Sequence, residues 1–276
     1  MLDNVSDIRE HYAGDLDHEH DRLIRHQLEY EITLALFRLY LPPNARVLEI
    51  GAATGRYSVE LLRQGHELTV VDLTPAMVEV CATHVESAGL AGAAELHVAD
   101  ARDLSVLGDR TFDAVLLMGP LYHLVLEADR ELALDQAFSR LSPGGLIFSA
   151  FISRFGILGD LMANVPNWID NKEEVRSIID RGRDPEDWPS GGFRGYFTDV
   201  VEIGPLHERR GFKTIELAAV EPAISADDAS YNRLEGEQRK RWFDLLFEVR
   251  NNPTTIGASR HLLYVGQKAR EDHDHH

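Results

Sequence analysis

Residues Val47-Leu-Glu-Ile-Gly-Ala-Ala-Thr-Gly-Arg-Tyr-Ser58 constrain this chain more than any other stretch. A strand-like run, Val47 to Ile50, passes through a turn bracketed by Gly51 and Gly55 and enters helical spacing at once. That is the strand, loop and helix that open an α/β nucleotide-binding sheet, in which small residues let backbone amides approach a ligand. Ala52 and Ala53 keep the loop small. A dinucleotide loop of the form G-x-G-x-x-G fails here because position 56 is Arg. A phosphate-cradling P-loop needs Gly-Lys, which occurs nowhere in the chain.

Four further strands follow in register with such a sheet. Leu68-Thr-Val-Val-Asp72 ends in a carboxylate 21 residues after Gly51, where it can accept both hydroxyls of a ribose. Leu73 leads into Thr74 and Pro75, an N-cap and a first-turn proline opening a helix to about Ser87 with Met77 in its first turn. Glu95–Ala99 ends in Asp100-Ala-Arg-Asp103, and Phe112–Met118 ends in Gly119-Pro-Leu-Tyr-His123. Leu141-Ser-Pro-Gly-Gly145 leads into a fifth strand, Leu146–Ile152. Gly, Ala and Asp at strand ends also make turns in every doubly wound sheet. Asp72 reads as a ligand contact because of its position after the glycine loop. Asp100 reads equally as contact or turn, and Arg102, Asp103 and Asp109 read as solvated loop charges.

This order resembles the class I S-adenosylmethionine-dependent methyltransferases across residues 45–153, with Ala53 where the family's E/D-x-G-x-G-x-G loop has its middle glycine. Gly119-Pro-Leu-Tyr-His-Leu124, followed by Asp129-Arg130, and Ala150-Phe-Ile-Ser-Arg154 look like a bacterial subgroup that acts on small molecules, including those of secondary metabolism. The resemblance implies a doubly wound, seven-stranded Rossmann-like sheet, α/β in class, whose last two strands form an edge hairpin. It implies S-adenosylmethionine as cofactor and S-adenosylhomocysteine as product. The cofactor contacts it implies are Glu49, Gly51, Ala52, Ala53, Gly55 and Tyr57 around the first loop, then Asp72, Leu73 and Met77. Asp100, Ala101 and Arg102 flank the adenine, Met118 and Gly119 follow the fourth strand, and Tyr12 and Arg22 approach the cofactor carboxylate from the N-terminal helices.

Outside the core, residues 1–42 carry helical spacing (Leu23, Ile24, Leu28, Ile32, Leu36, Leu39) stopped by Pro42-Pro43, and read as a lid. Residues 43–153 form the cofactor-binding core. Residues 154–198, rich in Pro, Gly and Asn, read as an inserted cap of short helices. Residues 199–268 supply a helix near Asp199–Arg210, a strand Phe212–Val220, one helix over about Asp228–Arg250 and a last strand Arg260–Val265. The tail 269–276 reads as disordered, and the whole as one domain. A single cysteine, Cys81, suits a reducing cytoplasm. There is no signal-like N-terminus and no apolar run long enough for a membrane span. Forty-six acidic against 28 basic residues, a net charge of −18, argue against a nucleic-acid partner. The expected partner is a small-molecule substrate; the oligomeric state is left open.

A sulfonium methyl is already electrophilic, so the expected chemistry is direct in-line displacement onto an O, N or C atom, with no metal. A hydroxyl acceptor benefits from a general base, whereas an amine or activated carbon needs none. His123 and Tyr122, at the sheet's carboxyl edge, are the catalytic candidates, although the tyrosine can equally pack on the cofactor and the histidine cap a helix. Phe155 and Trp168 of the cap are candidate acceptor contacts, against the commoner role of anchoring the cap to the core. The D/N-P-P-Y signature of amino-methylating relatives is absent, since Met118-Gly-Pro-Leu-Tyr122 stands in its place. Among His11, His18, His20 and His26, residues 18 and 20 point apart on a helix and no Cys accompanies them, which argues against zinc. A protein or RNA methyltransferase, and a non-catalytic cofactor-binding protein of the same fold, remain the alternatives.

Overall fold

The computed structural model describes residues 2–14, 24–185 and 194–269. Its strands are β1 (Arg46–Ile50), β2 (Glu67–Asp72), β3 (Ala94–Val98), β4 (Phe112–Leu117), β5 (Leu141–Ile152), β6 (Phe212–Ala219) and β7 (His261–Lys268). The helices are α1 (Ser6–Gly14), α2 (Gln27–Tyr40), α3 (Arg56–Arg63), α4 (Pro75–Ser87), α5 (Pro120–His123) and α6 (Glu127–Arg140), then α7 (Leu158–Asn164), α8 (Lys172–Arg181), α9 (Val200–Glu208), α10 (Asp228–Asn232), α11 (Gly236–Val249) and α12 (Pro253–Ala258).

The strands form one seven-stranded sheet in the order β3-β2-β1-β4-β5-β7-β6, with β7 antiparallel to both of its neighbours. Side chains alternate across it: Val47, Val70, Leu116 and Phe148 belong to one buried cluster, and Leu48, Ile50, Val71, Leu117 and Ile147 to the other. Both faces are therefore covered, as a largely parallel sheet requires. The expected fold and edge hairpin are present. Most strand ends fall within a few residues of expectation, and two differences are larger. Leu141–Gly145 is already part of β5: Leu141 pairs with Phe112 of β4, and the register shifts before Leu146 pairs with Ala114. The helix expected over Asp228–Arg250 is two helices, parted before Gly236, whose φ of 53° cannot continue a right-handed helix.

The N-terminal segment divides into two helices held in different ways. α2 buries Leu28, Ile32, Leu36 and Phe37 completely, and each such side chain is worth about 1.5–3 kcal/mol relative to exposure. α1 is nine residues long and buries Ile8 as its one apolar core residue. A helix that short does not persist by itself in water. It is held by polar ties instead. Arg194 reaches Asp3 and Asp7 at 3.2 and 3.0 Å, and Arg102 donates to the Asp3 carbonyl at 2.9 Å.

The cap comprises α7, a 3-10 turn over Pro166–Asp170 and α8. Trp168 and Leu161 pack there against Ile152, Ile157, Ile178 and Phe197. Among the described residues no helix is long and apolar enough to cross a membrane. Arg22, His18, His20 and the tail from 270 lie outside the described residues.

Candidate active site

The carboxyl edge of the sheet borders a cavity of about 1240 Å³, part of it open to solvent. Its first wall is the loop after β1. Gly51 and Gly55 both hold left-handed φ angles, 77° and 78°, and Ala53 joins them at 47°. A side chain on Gly51 would lie 2.8 Å from Pro120 Cδ and 3.3 Å from the Met118 carbonyl, because the loops after β1 and β4 touch there. The Ala53 amide donates to Asp72 Oδ2 at 2.9 Å, and the Thr74 amide donates to Asp72 Oδ1 at 2.9 Å. Asp72 is thus fixed by two backbone amides and still presents to the cavity. Thr74 caps α4 by position; its hydroxyl makes no capping bond, and the Asp72 carboxylate takes over the turn.

Of the residues expected at the cofactor, Tyr12, Gly51, Ala52, Ala53, Tyr57, Asp72, Leu73, Met77, Asp100, Ala101, Met118 and Gly119 line this cavity, as do Tyr122 and His123. Three others stand behind its wall. Glu49 is fully buried, accepts from the Ser58 hydroxyl at 2.5 Å, and leaves Oε1 without a partner. Burial pushes its carboxyl up to about 7, offset in part by Ser58 and reinforced by the nearby Asp72 charge. Gly55 is required by packing, since a Cβ there would meet Cys81 Sγ at 2.4 Å. Arg102 is neither solvated nor in the cavity. It is buried between Asp100 and Asp129, at 2.7 and 2.8 Å, because two carboxylates compensate its desolvation.

The expected acceptor contacts of the cap are also displaced. Phe155 is 49% exposed and Trp168 belongs to the small cluster behind Tyr122. Neither lines the cavity. The cap lies outside the wall, and what covers the site is the N-terminal segment, through Val5 and, on α1, Ile8 and Tyr12.

His123 is buried, and its Nε2 lies 2.7 Å from the Tyr12 hydroxyl, with the rings edge to face. Its Nδ1 faces the Arg194 carbonyl at 3.5 Å. Burial lowers its proton affinity to about 4, with a smaller opposing contribution from that carbonyl. A ring so placed is an anchor for α1 and a weak base near neutral pH.

The far end of the cavity was not expected from the sequence. Its wall contains Glu29 and Thr33 of α2, Ala150 of β5, Val220, and His261, Leu262 and Leu263 of β7. Nothing in the local pattern announces them, since the polar ones come from two distant segments, α2 and β7, that meet only in the fold. Arg56 adds a guanidinium to the cavity wall, 5.1 Å from the Tyr30 ring centre.

Residues 47–145 match the model of a family described as a methyltransferase domain. A ubiquinone biosynthesis O-methyltransferase of Xanthomonas axonopodis pv. citri is 32% identical over 113 residues, 41% of this chain and 45% of that protein. The chain thus matches less than half the length of this relative. Among solved structures, a methyltransferase of Methanosarcina mazei superposes with a TM-score of 0.59 at 19% identity, covering 86% of this chain and 98% of the other. The 1,6-didemethyltoxoflavin-N1-methyltransferase of Burkholderia thailandensis, solved with its substrate and S-adenosylhomocysteine, gives 0.60 at 16% identity, covering 96% and 88%. At these identities the likeness of the structures is one of fold.

Proposed function

We propose that this chain is a class I S-adenosylmethionine-dependent methyltransferase, a reading supported by the matched methyltransferase domain and its relatives, and that it transfers the cofactor's methyl group to a small-molecule acceptor. The observation that carries this reading is the continuity of the cavity. It runs from the loop 51–54, Asp72 and Asp100 to a largely apolar far end, under a short helix held by polar ties. The residues present fit the cofactor. Asp72 keeps acceptor capacity for the ribose hydroxyls beyond its two amides; Asp100 and Ala101 stand where the adenine would lie; Arg56 offers a cation to the carboxylate.

When bound, the cofactor supplies a sulfonium methyl that is electrophilic without a Lewis acid, so no metal step is included. The protein's part is orientation and exclusion of water. Holding a nucleophile in line can supply about 7–11 kcal/mol of the barrier, and α1 closing over the cavity would keep solvent out. The concave, partly covered cavity and the net charge of −18 favour a small acceptor over a nucleic acid. O-methylation of a small molecule by the Xanthomonas relative and N-methylation by the Burkholderia enzyme are consistent with that class. Isothermal calorimetry with S-adenosylhomocysteine is the test. Saturable one-to-one binding, unaffected by chelator, is expected; absence of binding by folded protein overturns the reading.

A further inference from the structure

We infer that the acceptor presents a hydroxyl group and that His261 takes its proton. The inference rests on the cofactor placement proposed above, because that placement leaves the far end of the cavity to the acceptor. With the adenosine over β2 and β3, the unclaimed wall is that of β5, β7 and the turn after β6. His261 is the first residue of β7 and pairs with Ile152, the last residue of β5. The reversed direction of β7 therefore brings a strand's first residue to the edge where parallel strands end.

The ring is held as a base should be. His261 Nδ1 donates to Glu221 Oε2 at 3.0 Å, and Glu29 Oε2 lies 3.5 Å from the same nitrogen. The backbone amide of His261 donates to Glu221 Oε2 as well, at 3.0 Å. This fixes the tautomer whose lone pair is on Nε2. Among the described residues no hydrogen bond to Nε2 is formed, and the side chain is on the cavity wall. Glu221 is completely buried and is held by Arg260, whose guanidinium also pairs with Asp160 and Asp228. The groups facing His261 are thus Glu29 from α2, Glu221, Arg260, Asp228 from α10, and the His26 ring with its centre 6.4 Å away. Two groups have the spacing of metal ligands, His26 with Glu221 and Asp228, and Glu29 with Glu221 and His261, but Glu221, which both share, already pairs with the Arg260 guanidinium as its cation.

In the step, the acceptor O–H bond breaks and its proton goes to Nε2, giving an imidazolium paired with Glu221. The electron pair left on oxygen forms the new O–CH3 bond, while the displaced sulfur keeps the electrons of the bond it loses. The imidazolium later returns its proton to water. Ala150, Val220, Leu262 and Leu263, which line the same cavity, suit a mostly apolar molecule with an acidic hydroxyl, a phenol or an enol.

The probe is 4-nitrophenol, whose absorbance reports loss of its proton, titrated at mildly acidic pH into full-length protein saturated with S-adenosylhomocysteine. Wild-type protein should bind and ionise it. His261→Asn keeps an amide donor toward Glu221 and should retain S-adenosylhomocysteine affinity within a few-fold, but should lose the nitrophenolate signal by about tenfold or more. A signal unchanged in His261→Asn, or a cofactor-loaded wild type that leaves 4-nitrophenol protonated, overturns the inference. Failure of the wild type to bind S-adenosylhomocysteine would instead overturn the cofactor reading beneath it.

Discussion

The two ends of the cavity are built by opposite means. At the β1–β2 end, the contacts are made by consecutive residues of one loop and by a carboxylate a fixed distance along the chain. At the β5–β7 end, Glu29, Val220 and His261 are brought together from segments up to 232 residues apart in numbering. Backbone recognition demands particular turn conformations, and these restrict residue type locally. Side-chain recognition demands only that distant strands and helices meet. The first kind of site leaves a pattern in a sequence and the second does not.

The largest expected effect tests the first end. Gly51→Val places a branched side chain against Pro120 and the Met118 carbonyl at a φ of 77°, and should weaken S-adenosylhomocysteine binding by more than about a hundredfold. A folded variant that binds normally in calorimetry would remove the backbone loop from the site.

Next is the buried carboxylate behind that loop. Glu49 holds its proton to about pH 7 in the folded protein, against 4.5 as its ordinary value. Unfolding therefore releases a proton between these values, and stability attributable to Glu49 falls as the pH rises through that window and is level above it. Glu49→Gln removes this penalty. Relative to wild type it should gain on the order of 3 kcal/mol between about pH 5 and pH 8 in denaturant titrations. Parallel curves for the two proteins would show that Glu49 is ionised in the fold.

Asp72→Ala should cost about 1.5–3 kcal/mol of cofactor affinity, or roughly ten- to a hundredfold. Unchanged affinity would mean that Asp72 only braces Ala53 and Thr74. The smallest effect on the site is expected at the cap. Trp168→Ala should lower the thermal midpoint through loss of packing on Ile157 and Ile178. The Michaelis constant for the acceptor should stay within about threefold, because Trp168 does not line the cavity. A large rise in that constant would return the cap to the acceptor site.

The sheet was readable because each strand is an apolar run closed by a turn residue, and Asp72 was readable through its distance from Gly51. Arg102 was misread as solvated because the partner that buries it, Asp129, lies on another element. Aromatic character pointed Phe155 and Trp168 toward the acceptor, yet Trp168 attaches the inserted segment to its own small cluster and Phe155 is half exposed. His123 stands at the carboxyl edge as expected, but its contact with Tyr12, 111 residues away, has no local signal in the sequence. His261 escaped notice because its carboxylate partner is 40 residues earlier and on the far side of a helical excursion.

The reversed strand β7 has a consequence for how such an enzyme diversifies. Hydrogen bonding to β5 and β6 on both sides fixes the backbone on which residue 261 rides, whatever side chain it carries. Exchanges there, and at positions 29 and 220, alter the shape and reactivity of one compartment without re-threading the loop that grips the other. On the proposed assignment of the two ends, new acceptors would be gained by single replacements on a rigid rail, with the machinery for the methyl donor inherited unchanged.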